Sequence, residues 1–263
     1  MVLSVTEKAY LYESLSAVPP LRPDGRAAHQ FRPVELFTDF LPTSNGSSKI
    51  VASDGSECIV SVKAKVVDHT VDNEFLVVDV DIAGHRDDSQ FVLSIGSILT
   101  KVLTQQLEQR GLQLTRKYSF KLFIDVLVLS SYSHPLSLIS FAIYAALNST
   151  YLPKLISSDD DLDVAELPLF HDYDLEKLDV RVPLLFTVAL VGNNVLIDPA
   201  SNESDVANNG LVVTWSNGKI GTPIMTIGLN DDNVKGFGSS HIRTTLEMIE
   251  KCAPQVVKAL DGI

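Results

Sequence analysis

The stretch 117–153 constrains this chain more than any other. Apolar residues crowd 117–129 as a strand, the turn Ser130-Ser-Tyr-Ser-His-Pro135 follows, and 136–150 reads as a helix that Pro153 stops. A strand, turn and helix of that apolar density belong at the centre of a core. A nucleotide-binding α/β protein places glycines for phosphate at such a strand-to-helix turn, and this turn has none.

The flanking sequence shows what surrounds that unit. Ser4 and Glu7 make a capping box that predicts a helix carrying Tyr10, Leu11 and Leu15 and ending before Pro19-Pro20. Arg22-Pro-Asp-Gly-Arg26 predicts a turn. Residues 33–40 and 49–68 are predicted extended, the second folding back at Ser53-Asp-Gly-Ser56, and Cys58, Val60, Val62, Ala64 and Val66 alternate with Ile59, Ser61, Lys63 and Lys65. That alternation buries one face of a strand and wets the other. After a strand over 75–82, Val92, Ile95, Leu99, Val102, Leu103 and Leu107 recur at helical spacing towards Gly111, the expected residue just past the helix end.

Residues 153–182 hold Asp159, Asp160, Asp161, Asp163 and Glu166 and read as a solvated connection. Beyond it the pattern repeats. A strand over 184–190 turns at Gly192-Asn-Asn194, a hairpin forms about Asn217-Gly218, and a last helix from Ser240 carries Ile242, Leu246, Ile249, Val256 and Leu260. The fold class is α+β. One domain over 1–263 is expected, with pseudo-repeated halves at about 20–152 and 183–263.

Composition excludes several functions. A net charge of −12 over 263 residues argues against an autonomous nucleic-acid binder, which needs cations to displace phosphate counterions. Cys58 and Cys252 make no disulfide framework or thiolate metal site, and a reducing compartment fits. The start, Met-Val-Leu-Ser, is not expected to be a secretory signal, and the apolar helix falls short of the roughly 20 residues that span a bilayer. The glycosylation-like triplets at Asn45, Asn148 and Asn202 read as chance.

His134 and the pair His171-Asp172 lack a third partner for catalysis, and Asp159 to Asp161 lack the glycine and spacing of a calcium loop. Asp125, in an apolar strand, reads as structural and bonded across the sheet. A small-molecule kinase needs a glycine-rich phosphate loop, and Gly25-Arg and Gly46-Ser-Ser are too sparse for one. No metal and no cofactor are expected.

Taken in order, Arg22-Pro-Asp-Gly-Arg26, Ala52-Ser-Asp-Gly-Ser-Glu57, 60–66, Ile124-Asp-Val-Leu-Val128, Ala145-Ala-Leu147 with Leu152-Pro153, and Leu196-Ile-Asp-Pro-Ala200 with Glu203 resemble the RNase PH-like subunits of the exosome ring. The resemblance implies an RNase PH-like fold (ribosomal protein S5 domain 2-like), with two duplicated β-sheet halves and packed helices. It implies a six-membered ring shared with other RNase PH-like subunits, RNA-binding cap subunits above it, and RNA threading the pore towards a separate hydrolytic exoribonuclease. The implied work is rRNA maturation and mRNA turnover, in the nucleus, nucleolus and cytoplasm, with no membrane partner.

Catalytic members of that family carry an aspartate, then Glu-Asp, then another aspartate six residues later. Counted from Asp198, the matching positions here are Glu203, Ser204 and Gly210, so two acids are missing. No catalytic residue is therefore expected, and the alternative is an active phosphorolytic exoribonuclease with a divergent site. Related non-catalytic subunits set two arginines against RNA where Gln105 and Glu108 stand here. The RNA-contact candidates are Lys63, Lys65, Arg110, Arg116 and Lys117.

Overall fold

The computed structural model describes residues 3–262 other than 73, 108, 116, 157–167 and 231–233. Helix α1, Val5–Ser16, opens on the expected capping box: Glu7 N donates to Ser4 Oγ at 3.3 Å and Ser4 N to Glu7 Oε2 at 2.8 Å. Two orphan donors of the helix start are thereby satisfied.

The first half is a five-stranded sheet of β1 (Val34–Thr38), β2 (Gly46–Ala52), β3 (Glu57–Asp68), β4 (Leu76–Ile82) and β5 (Tyr118–Ser130), in the order β1-β2-β3-β5-β4. Only β4 runs parallel to its neighbour, β5. Parallel strands need a crossover, and α2 (Gln90–Gln106) supplies it, burying Val92, Ile95, Leu99, Val102 and Leu103. In β3 Cys58, Val60 and Val62 are fully buried. Their partners across the ladder, Val128, Val126 and Ile124, are buried with them, so one face of β3 and β5 is core.

Helix α3, Leu136–Asn148, lies between that sheet and a second one of β8 (Leu184–Val191), β9 (Asn194–Ile197), β10 (Asn209–Ser216) and β11 (Lys219–Ile227), in the order β11-β10-β8-β9. Every residue of α3 except Tyr144 and Asn148 is buried. Its serines serve the sheets: Ser137 Oγ accepts from Thr187 N at 2.7 Å and Ser140 Oγ from Leu185 N at 2.8 Å. On the opposite side Ser48 Oγ donates to Ala142 O at 2.7 Å. Phe31, Phe141 and Phe186 close the core beside α3, with centroids 5.7 to 6.1 Å apart. The last helix, α5 (Ser239–Asp261), lays Ile249, Cys252 and Ala253 on the same core. The Asn217-Gly218 turn joins β10 and β11 with both residues at positive φ, 54° and 73°, as its hairpin type requires.

Two expectations change, and the one for Asp125 holds. Helix α2 stops at Gln106 and Leu107 is extended, so Gly111 is not its capping glycine. It sits instead in a 3₁₀ turn, Gln109–Leu112, where a Cβ would stand 2.8 Å from the Asp179 carbonyl oxygen. Asp125 is exposed, because odd positions of β5 point away from the core, but it is bonded across the sheet as expected, accepting from Oγ of its cross-strand neighbour Ser61 at 3.4 Å. The connection between the halves holds a two-stranded ribbon of β6 (Tyr151–Leu155) and β7 (Phe170–Lys177), whereas Asp159, Asp160 and Asp161 lie outside the described residues.

Gly46 tests how closely α3 packs on β2. A Cβ there would stand 2.6 Å from Ala146 O and 2.8 Å from Thr150 Cα, both backbone atoms. Gly46→Ala is expected to cost about 3 kcal/mol in urea unfolding, through overpacking against atoms that cannot rotate away.

Candidate functional site

The loop after α1, the end of β9 and the β2–β3 turn meet in a cluster of arginines and carboxylates. Arg22 forks onto Glu203, Nε to Oε1 and Nη2 to Oε2, both at 2.7 Å, and both side chains are wholly buried. Its remaining N–H groups reach the carbonyls of Ile197, Asp198, Ala27 and Gln30 at 3.0 to 3.3 Å. Such a fork satisfies the cation's charge and its directional donors together. Glu203 belongs to the short helix α4, Ser201–Ser204, and its Oε2 also accepts from Ala200 N at 2.8 Å.

Asp198 is the second hub. Arg32 donates to it from its backbone N at 2.8 Å and from Nε at 2.9 Å, and Arg26 Nη1 adds a bond at 3.1 Å. Its backbone sits in the left-handed region, φ 50°, which aspartate tolerates better than most residues. Burial pushes the Asp198 carboxyl up, but the hydrogen bonds and charge of Arg32, with the charge of Arg26, outweigh burial and hold it below the ordinary 3.8. Arg32 also binds Asp54 and Ser133, and Arg26 is held by Asp24 at 2.6 Å. Each guanidinium of the cluster thus has a carboxylate of its own, while Arg26 Nη2 is buried without a hydrogen-bond partner.

Beside the cluster opens a cleft of about 490 Å³, lined by the turn residues Ser131, Tyr132, Ser133 and His134, by His85 and Phe91, and by Ser204 and Asp205. The Ser130 to Pro135 turn and Ser204 therefore meet at one place. Among the described residues no lysine or arginine lines the cleft. Burial pushes His134 down to about 4, so it is neutral at physiological pH; Leu136 N lies 3.3 Å from its Nδ1. Ser204 Oγ is turned back onto Ala200 O at 3.0 Å. Among the described residues Asp205 is the carboxylate of the lining. A dianionic phosphate finds repulsion here in place of the clustered cations it needs.

The RNA-contact candidates scatter. Lys63 and Lys65 lie on the open face of β3, exposed, and no ion pair engages either among the described residues. Lys117 stands 3.4 Å from Asp68 and over the Tyr118 ring. Arg110 lies in the 3₁₀ turn, and Arg116 falls outside the described residues. His171 stands 3.7 Å from Asp174 in β7, and His134 lies in the turn before α3. Sequence reasoning missed the roles of Arg22, Arg26 and Arg32. The signal was there in part, since two arginines frame the Pro-Asp-Gly turn, but their partners Asp198 and Glu203 lie more than 170 positions away.

The model of the 3′ exoribonuclease family, domain 1 (RNase PH), matches residues 30–153. The chain is 64% identical over the full length of both proteins to the exosome complex component RRP42 of Saccharomyces cerevisiae. Two solved structures share the fold. One, an archaeal exosome core chain, matches at TM-score 0.74 and 19% identity, covering 97% of this chain and 96% of that one. The other, the Archaeoglobus fulgidus exosome with RNA bound to the active site, matches at TM-score 0.75 and 18% identity, covering 96% of each.

Truncation of the buried fork gives a sharp test. Glu203→Ala leaves Arg22 charged and sealed from water, and is expected to cost about 3–5 kcal/mol in chemical denaturation. Asp198 adds a pH test. Its folded pKa is depressed, so its contribution is complete above the unfolded value near 3.8 and fades as pH falls through the lower folded value. Asp198→Asn is expected to be less stable at neutral pH and to show a flatter stability curve below about pH 4, measured by urea titration at stepped pH.

Proposed function

Because the chain belongs to the RNase PH-like family of exosome ring components, we propose that it is a non-catalytic structural subunit of that ring. The observation that carries this reading is the cleft: among the described residues its lining has no lysine or arginine, and the neighbouring arginines are paired with Asp24, Asp54, Asp198 and Glu203. The acids expected of a catalytic member are also absent at Ser204 and Gly210. Phosphorolysis requires a bound phosphate beside an acid, and this site supplies neither a cationic cradle nor a carboxylate at those positions.

On this reading the chain works by completing a closed ring through which RNA passes in 3′-to-5′ processing and degradation, including rRNA maturation and mRNA turnover. RNA-binding cap subunits and a separate hydrolytic exoribonuclease act with it, in the nucleus, nucleolus and cytoplasm. The full-length match to a named exosome component supports the ring role. A closed ring of unlike subunits needs heterologous contacts, which in obligate assemblies bury on the order of 2,000 Å² or more. Exposed Phe37, Leu127 and Leu129 on the open side of the first sheet are apolar surface of the kind such contacts cover. Lys63 and Lys65, solvated on that side, are the proposed RNA contacts.

The purified chain, incubated with 3′-labelled RNA and inorganic phosphate, is expected to release no nucleoside diphosphate, and the ring assembled with it is expected to lose no phosphorolysis on Ser204→Ala. Phosphate-dependent release by the isolated chain would instead establish the divergent-exoribonuclease alternative. Ultraviolet crosslinking of RNA in the assembled complex, mapped by mass spectrometry, is expected to mark peptides containing Lys63 and Lys65.

A further inference from the structure

The ribbon of β6 and β7 is anchored at few points. Phe170 stacks on Phe120 at 5.7 Å, Leu152 is buried, and Leu178 N donates to Thr150 O at 2.9 Å. Beyond these anchors every residue of β7 from His171 to Lys177 is exposed, and among the described residues no third strand pairs with the ribbon. Its register slips in the middle. Pro153 faces Leu175 and Leu155 faces Phe170, so β7 advances 175 − 170 = 5 positions while β6 advances 155 − 153 = 2. The surplus bulges outward, and Tyr173 within it is 93% exposed. Leu169 and Leu175 are 68% and 63% exposed, and Ile156 and Tyr151 add to the same ribbon.

A two-stranded ribbon is marginal in water by itself, and apolar surface concentrated on one marks a contact. The bulge and the charges along β7 oppose strand-to-strand addition, so contact through side chains is favoured over contact through the backbone edge. Tyrosine is among the residues that most often anchor protein interfaces. Its neighbours choose the partner. Asp172 and Asp174 flank Tyr173 and Glu176 follows, an arrangement that attracts lysine and arginine and repels phosphates. A nucleobase stacks readily on a tyrosine, but its backbone would meet three carboxylates.

We propose that the β6–β7 ribbon is a docking arm for another protein subunit, with Tyr173 seated in a pocket whose rim carries lysine or arginine. The proposal rests on the reading of this chain as a subunit of a larger assembly, and adds which surface recruits a neighbour and by what chemistry. The test uses the full chain co-expressed with the ring and cap subunits of its own complex, with the photocrosslinker p-benzoylphenylalanine replacing Tyr173. Irradiation is expected to join position 173 to one protein subunit, at a peptide containing lysine or arginine. Tyr173→Ala, and separately Asp172→Lys with Asp174→Lys, are expected to weaken binding of that purified subunit at least about tenfold, with unchanged circular dichroism and melting temperature. The loss from the charge variant is expected to shrink at high salt.

Crosslinking to RNA, to a second copy of this chain, or to nothing in an intact assembly overturns the docking arm while leaving the ring reading in place. So does a protein crosslink whose affinity neither variant changes. A chain that joins no assembly at all overturns both.

Discussion

A charge sealed from water has to bring its neutralisation with it, and Arg22 does so through Glu203. The fork alone would not distinguish this pair from an apolar replacement, which in many proteins is as stable or more so. What distinguishes it is the set of carbonyls the same guanidinium collects, from Ala27, Gln30, Ile197 and Asp198. An arginine bonded to four carbonyls from two distant segments sets their separation and direction. The path from α1 to β1, the exit from β9 and the start of α4 all take their course from it. Arg26 and Arg32 extend the arrangement by pinning Asp198 in its left-handed conformation. The cluster therefore sets the course of these segments, and each of its arginines is already paired with a carboxylate, although Arg26 Nη2 is buried without a hydrogen-bond partner.

Helix α3 plays the complementary part with almost no charge. Buried nearly all round, it separates two sheets whose strand edges would otherwise leave N–H groups without partners. Ser137 and Ser140 take up Thr187 N and Leu185 N, and Ser48 reaches back from the first sheet to Ala142 O. Buried serines in such a helix cost less than isolated hydroxyls because each is bonded. The helix thus joins the sheets by direction as well as by apolar area.

Local periodicity made much of this legible. The capping box at Ser4, the alternation through β3, the strand-turn-helix unit about α3 and the Asn217-Gly218 hairpin are short-range patterns whose physics lies within a few residues. Gly111 misled because a glycine after a helical stripe is a common end signal, yet this one is small to admit Asp179. Asp125 is bonded across the sheet as expected, but stands exposed because the even positions of β5 are the ones that pack into the core. The ribbon hid within an acidic stretch whose composition resembles a solvated linker. The candidate site was legible in its missing acids and illegible in its cations, because pairing Arg22 with Glu203 requires knowing which distant segments meet.

That distance has a consequence for the order of events at the ribosome. Arg22 emerges early, and Glu203 follows 181 positions later. At about 5–20 residues per second, the interval between the two is roughly ten to forty seconds. Throughout it the segment bearing Arg22 must stay hydrated, since closing it without its counter-ion would strand a bare cation. The five-stranded sheet can gather in that time, but the amino-terminal loop cannot lock until the second half exists. The segment bearing Arg22 is in this way fixed only after residues made long after it, and the growing chain holds its own latch open until Glu203 has emerged.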